Sequence, residues 1–270
     1  MCFDDIKIKD QIGVIKQAGF DAVFNDWSRD FNAAEVMEEV ARHGLLHHSF
    51  HAPFYGMDDL WHDEEGELAE KMTQDVLMCI DDCERYNTDI VICHAIIGMD
   101  NHSPNELGLV RIGRIIDYAA KKGITIAFEN TEGEEYLRKI FERFGECNNV
   151  GFCFDSGHEM CYNAGLDMLG EFGKYLISTH LNDNLGMADP SDKTFLDDSH
   201  MLPFEGKGDW QGIADRLHRC GYNGALTFEI NSRSKPGRNA NERYEKMTFE
   251  EYVNAAYKRA AQFRSLYLGR

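Results

Sequence analysis

At 270 residues, with 43% hydrophobic residues and only 5 prolines, the chain carries enough apolar mass for one sizeable α/β domain. No Gly/Ser-rich linker or low-complexity tract divides it, so one domain over residues 1–270 is the economical expectation. A formal net charge of −19 works against general attraction to a nucleic-acid backbone, although cations held in an acidic cleft would reverse the sign locally and admit a phosphoester.

No apolar stretch approaches the roughly 20 residues that span a bilayer, and no basic segment followed by an apolar one opens the chain. The expectation is a soluble, cytoplasmic protein without a membrane partner. Eight cysteines (Cys2, Cys79, Cys83, Cys93, Cys147, Cys153, Cys161 and Cys220) show no CxxC pair and no framework spacing. They read as reduced, mostly buried thiols.

In chain order, apolar β-rich runs alternate with amphipathic ones. The strand candidates are FDAVF (20–24), LLHHSF (45–50), DIVIC (89–93), ITIAF (124–128), VGFCF (150–154), YLIST (175–179) and GALTF (224–228). Between them, apolar positions spaced by three and four predict helices over 8–18, 33–43, 66–86, 106–122 and 209–219. A further helix over 249–267 fits a cap for the barrel better than a dimer surface, with a homo-oligomer left open. Gly19, Gly44, Gly123 and Gly221 follow helical runs and precede strand-like ones, as helix-terminating glycines do.

This alternation predicts a parallel sheet covered by helices. Seven strands are visible, and an eighth would have to be the stub MCF at 1–3.

Chemistry gathers where the apolar runs end. His51, His94, Glu129, Asp155, His180 and Glu229 each follow such a run directly, and a side chain at the C-terminal end of a barrel strand points into the mouth where catalysis occurs. A carboxylate in that position is costly to bury unless it is paired or holds a cation. His158 stands three residues past Asp155, and Asp198 and His200 form a DxH triplet whose alternation points both side chains the same way. Mixed carboxylate and imidazole donors suit a divalent metal such as Zn, Mn, Mg or Co, with one to three ions per chain.

Aromatic Trp27 and Phe54 are candidate walls of a substrate pocket. Lys207 and Arg233, the latter in the basic stretch Ser232–Arg238, are candidates for receiving an anionic group on the substrate.

The pieces SFHAPF, VICHAIIG, IAFENTEG, CFDSGH, STHLNDN, DDSHMLPFEGKGDW and LTFEI, in this order, resemble the xylose isomerase-like TIM-barrel superfamily, which includes sugar isomerases, epimerases and endonuclease IV. The resemblance covers nearly the whole chain and implies an α/β fold, a (β/α)8 TIM barrel with a short or incomplete first strand. In the ketose epimerase branch it implies one divalent metal on Glu129, Asp155, His180 and Glu229. The two glutamates then act as the acid/base pair and His158 binds a substrate oxygen.

In the endonuclease IV branch it implies three zinc ions. His51 and His94 share Glu129 at one of them, the four-residue set holds another, and His158, Asp198 and His200 hold the third. The leading expectation is a sugar or sugar-phosphate isomerase or epimerase acting on a small carbohydrate by enediolate proton transfer. The alternative is a phosphodiester hydrolase with a di- or trinuclear zinc centre. The acidic early loops NDWSRDFN and YGMDDLWHDEEGE favour the first.

Overall fold

The structure is a computed structural model, described here for residues 6–99 and 103–269. The stub MCF therefore lies outside the described residues, as does Cys2. Six strands are assigned, β1 (Ala22–Asp26), β2 (Leu46–His51), β3 (Ile90–His94), β4 (Thr125–Glu129), β5 (Val150–Asp155) and β6 (Leu176–His180). They form one sheet in the order β1-β2-β3-β4-β5-β6. Helices alternate with them: α1 (Ile8–Ala18), α2 (Ala33–Arg42), α3 (Asp59–His62), α4 (Glu67–Tyr86), α5 (Glu106–Lys122), α6 (Glu134–Phe144), α7 (Ser156–Cys161), α8 (Met168–Phe172), α9 (Trp210–Arg219) and α10 (Phe249–Leu268). Consecutive parallel strands with helical crossovers are the topology of a TIM barrel.

The expected segment 224–228 does not become a strand, and the reason is local. Leu181 N–H donates to the Thr227 carbonyl at 2.8 Å, as a ladder would require. Thr227 N–H, however, goes to the Thr179 side-chain oxygen at 3.1 Å, and the Thr227 hydroxyl donates to the Thr179 carbonyl. Two threonine hydroxyls thus take places that backbone partners would fill in a regular ladder.

The chain divides into two compact units, residues 23–33 with 47–153, and residues 1–22, 34–46 and 154–270. In the first, β3 and β4 pair in parallel from Ile90↔Thr125 to His94↔Glu129, which brings those two chemical residues level at the strand ends. Val91, Ile92, Ile126, Ala127, Phe128 and Phe152 are buried and make these strands apolar on both faces, as a helix-covered parallel sheet requires. Helix α5 starts at Asn105, whose side chain accepts the Gly108 N–H at 2.9 Å. The indole of Trp61 lies over Gly108, donates to the Ala95 carbonyl at 2.8 Å and meets Tyr136 edge-on at 4.7 Å.

In the second unit, α10 packs on α1 and α9. It begins with a capping box in which Thr248 and Glu251 each satisfy the other's backbone N–H. Its Tyr257 meets Phe20 edge-on and fills the space beside Gly19, where φ is 116°. Helix α6 was not foreseen from periodicity, although Tyr136, Leu137, Ile140 and Phe141 form its buried stripe. The seven described cysteines are free thiols, most of them buried. Among the described residues, no helix is long and apolar enough to cross a membrane.

Substituting Gly108 tests the packing of the first unit. A Cβ there would land inside the Trp61 ring system. Gly108→Ala is therefore expected to lower stability by about 1–3 kcal/mol despite the better helix propensity of alanine. Chemical denaturation would show it as a lower midpoint at unchanged slope, and an equal or higher midpoint would contradict the packing described.

Candidate functional site

Every strand from β2 to β6 except β5 ends on an imidazole or glutamate, and β5 ends on Asp155. Each is the terminal residue of its strand, so its backbone is held by the sheet before its side chain meets anything. The expected ligands fall into three groups within the two units.

In residues 23–33 and 47–153, Glu129 Oε2 lies 3.3 Å from His51 Nε2 and 3.4 Å from His94 Nε2. Glu129 is fully buried and His51 nearly so. His51 Nδ1–H donates to the Ala52 carbonyl at 2.8 Å. A carbonyl can only accept, so this bond places a proton on Nδ1 and turns Nε2 toward Glu129. Phe54 stacks on the His94 ring at 4.9 Å and meets His51 edge-on at 5.7 Å, which holds both rings from one side.

In residues 154–270, one ligand atom each of Asp155, His180 and Glu229 lies within 4.8 Å of the others. His180 Nδ1 lies 2.9 Å from Glu229 Oε2. Asp155 Oδ1 accepts the His158 N–H at 2.6 Å and so opens α7, while its Oδ2 accepts from Asn182 Nδ2 at 2.8 Å. Both carboxylate oxygens are thereby aimed.

The third group centres on Asp198 Oδ2, which is 2.9 Å from His200 Nε2 and 3.5 Å from His158 Nε2. His200 Nδ1–H donates to the Glu229 carbonyl at 3.1 Å, which again leaves Nε2 facing a carboxylate. His200 adopts a positive φ of 45°, a conformation that non-glycine residues take up only where the surroundings enforce it.

Burial alone would lower the His200 pKa, but the Asp198 carboxylate outweighs it and raises the value to about 9. Burial likewise opposes the Asp198 charge, yet the two imidazoles hold that carboxyl well below its usual range. Asp198 Oδ1 is buried and has no hydrogen-bond partner among the described residues.

These groups fit a divalent metal on physical grounds. Ligands about 2.1 Å from a tetrahedral ion stand about 3.4 Å apart, close to the His51, His94 and His158 contacts. An imidazole lone pair facing a carboxylate is repulsive unless a proton or a metal ion lies between them. Oxygen and nitrogen donors without thiolate suit Zn, Mn, Co or Mg.

The remaining candidates are distributed differently. Trp27 is buried, and its indole donates to Asp82 on α4 at 2.8 Å. Arg233 is exposed, with its backbone N–H on Asn231 Oδ1. Lys207 is exposed and lines a cavity described below.

Two residues that sequence reasoning passed over shape the site from behind. Asn182 orients Asp155, and Gly157 leaves the space its amide needs, because a Cβ at 157 would collide with it. Asp183 is fully buried and accepts N–H groups from Asn184, Glu205, Gly208 and the Trp210 indole at 2.8–3.0 Å. The sequence marks Asn182 and Asp183 only by position, two and three residues after His180 in STHLNDN.

Comparison with known proteins agrees with this layout. A family model described as xylose isomerase-like TIM barrel matches residues 12–248. An uncharacterized protein, y4fM, of Sinorhizobium fredii is 33% identical over 119 residues, 42% of this chain and 35% of that protein, so the match spans about a third of the relative's length. The crystal structure of IolI protein with a bound zinc atom superposes with a TM-score of 0.78 at 17% identity, covering 97% of this chain and 94% of that one. D-allulose 3-epimerase from Methylomonas sp. in complex with D-allulose gives a TM-score of 0.72 at 15% identity, covering 96% and 90%. With the fold and the continuous family match in hand, the chain belongs to the xylose isomerase-like TIM-barrel family.

Proposed function

We propose that the chain is a divalent-metal-dependent isomerase or epimerase of a small sugar or sugar phosphate. The observation that carries the reading is the convergence of Asp155, His180 and Glu229, one buried donor set from successive strand and post-strand positions. The resemblance adds Glu129 to that set. Similar solved structures with a zinc atom and with D-allulose support the same class.

A divalent ion held there supplies Lewis acidity that eases loss of a proton beside a carbonyl. Glu129 and Glu229 are the acid/base pair, one removing the carbon-bound proton and the other returning one. Glu229 is the more exposed of the two, with a side-chain exposure of 26% against 0% for Glu129, so it has the freer approach to substrate. His158, held by its place in α7, donates to a substrate oxygen. Phe54 forms an apolar wall against the sugar ring.

A second reading, phosphodiester hydrolysis at a di- or trinuclear zinc centre, is favoured by one observation. His51, His94 and Glu129 form one complete donor group, and His158, Asp198 and His200 form another, which a single-metal isomerase does not require. The charge of −19 weighs against a nucleic-acid substrate.

Two measurements separate the readings. Elemental analysis of protein purified without chelator, repeated for His51→Ala and His200→Ala, is expected to return one ion per chain that survives both substitutions. In the same preparation, solvent deuterium should enter a ketose substrate and Glu229→Gln should slow that exchange about 10²–10⁴-fold. Three zinc ions, with each variant losing about one and no exchange into any ketose, would replace the isomerase by the hydrolase.

Metal uptake has a proton signature. The His200 pKa of about 9 keeps its imidazole protonated at neutral pH in the metal-free protein. Because the folded value lies above the ordinary 6.5, the His200–Asp198 pair stabilises the metal-free fold fully below about pH 6.5 and loses that contribution as pH rises through 9. A metal entering this group must displace the proton. Zinc titrations at pH 7.5 in buffers of different ionisation enthalpy are expected to show equal proton release by the wild type and His200→Ala, since the one ion of the isomerase reading sits elsewhere; about one more proton from the wild type would mean that this group takes a metal, as the hydrolase reading requires.

A further inference from the structure

Behind the Asp198 and His200 donors lies a cavity that the proposed reaction does not use. The segment 197–200 alternates, so Asp198 and His200 serve the donor group while Asp197 and Ser199 line a cavity of about 220 Å³. Its other walls include Lys207 and Arg238, together with the backbone of 185–188. That volume holds several water-sized groups.

The charges in this cavity are unequally matched. Asp197, its one carboxylate, accepts from Arg238 Nε at 2.8 Å and from the Ala188 N–H at 2.9 Å. Arg238 thus meets Asp197 through Nε alone, and its terminal nitrogens make only a 3.5 Å contact to the adjacent Gly237 carbonyl. Lys207 is fixed by its backbone, whose N–H donates to the Asn184 carbonyl at 2.9 Å, but no partner for its ammonium occurs among the described residues.

The neighbouring carboxylate Glu205 cannot serve, since Arg243 and Arg259 both hold it. In a chain of net charge −19, a lysine without a counter-ion beside an arginine braced from behind is a cation pair left for a ligand.

We propose that Lys207 and Arg238 form a binding site for a phosphoryl group. The braced guanidinium presents its terminal N–H groups to two oxygens, Lys207 neutralises the remaining charge, and Ser199 and Asn239 supply further polar contacts. The ligand is either the phosphoryl end of the carbohydrate substrate, which rests on the isomerase reading, or free phosphate, which does not.

Calorimetric titration of inorganic phosphate into the metal-loaded protein tests the site independently of turnover. Lys207→Ala, which removes no protein partner, is expected to weaken binding about 10-fold or more, and Lys207→Arg to restore most of it. Repeating the titration on protein freed of metal by chelator and dialysis controls for anion bound to metal and is expected to leave phosphate affinity unchanged. A ketose phosphate that displaces inorganic phosphate, binds tighter and loses the same factor in Lys207→Ala identifies the substrate as the source; phosphate binding that the ketose phosphate does not displace identifies the free ion. Affinity unchanged in Lys207→Ala, or abolished by removal of the metal, would overturn the proposal.

Discussion

Imidazole nitrogens held against buried carboxylates are the constraint on which the rest of the structure depends. His51 and His200 each donate one ring N–H to a backbone carbonyl, of Ala52 and Glu229 respectively, and so cannot rotate away from Glu129 and Asp198. Those contacts become favourable once a proton or a metal ion lies between the partners. The fold stores the requirement in backbone positions at strand ends, where the sheet permits little relaxation. The ligand groups are therefore pre-organised, and the cost of burying their charge is met by the sheet and its helical cover rather than by the ion alone.

Much of this is legible in the sequence. His51, His94, Glu129, Asp155 and His180 announce themselves because each interrupts an apolar run at its end, and each is the terminal residue of an observed strand. The helices at 8–18, 106–122 and 249–268 follow directly from their apolar spacing and their caps. Segment 224–228 reads as a strand because β-propensity registers its apolar alternation. It cannot register that Thr179 and Thr227 will trade backbone for hydroxyl partners, since those residues are 48 positions apart.

Other features are hidden for a different reason. Asn182 and Asp183 have ordinary polar side chains, and their importance lies in which distant groups they meet. Lys207 and Arg238 illustrate the same point. The basic stretch 232–238 suggests an anion site, but only the fold distinguishes Arg238, aimed into a cavity by Asp197, from Arg233, exposed on the surface.

Asp183 has a wider consequence. By accepting N–H groups from Asn184 at one end of the long segment and from Glu205, Gly208 and Trp210 at the other, it clamps the two feet of an excursion of some twenty residues with a single carboxylate. Loop closure adds entropy only as the logarithm of length once the feet are fixed. Ala188 and Asp197 are hydrogen-bonded to each other, so residues 189–196 between them are free to lengthen, shorten or change composition during divergence without moving Asp198 and His200. A barrel built this way can exchange a surface loop as a module while its metal chemistry stays in register.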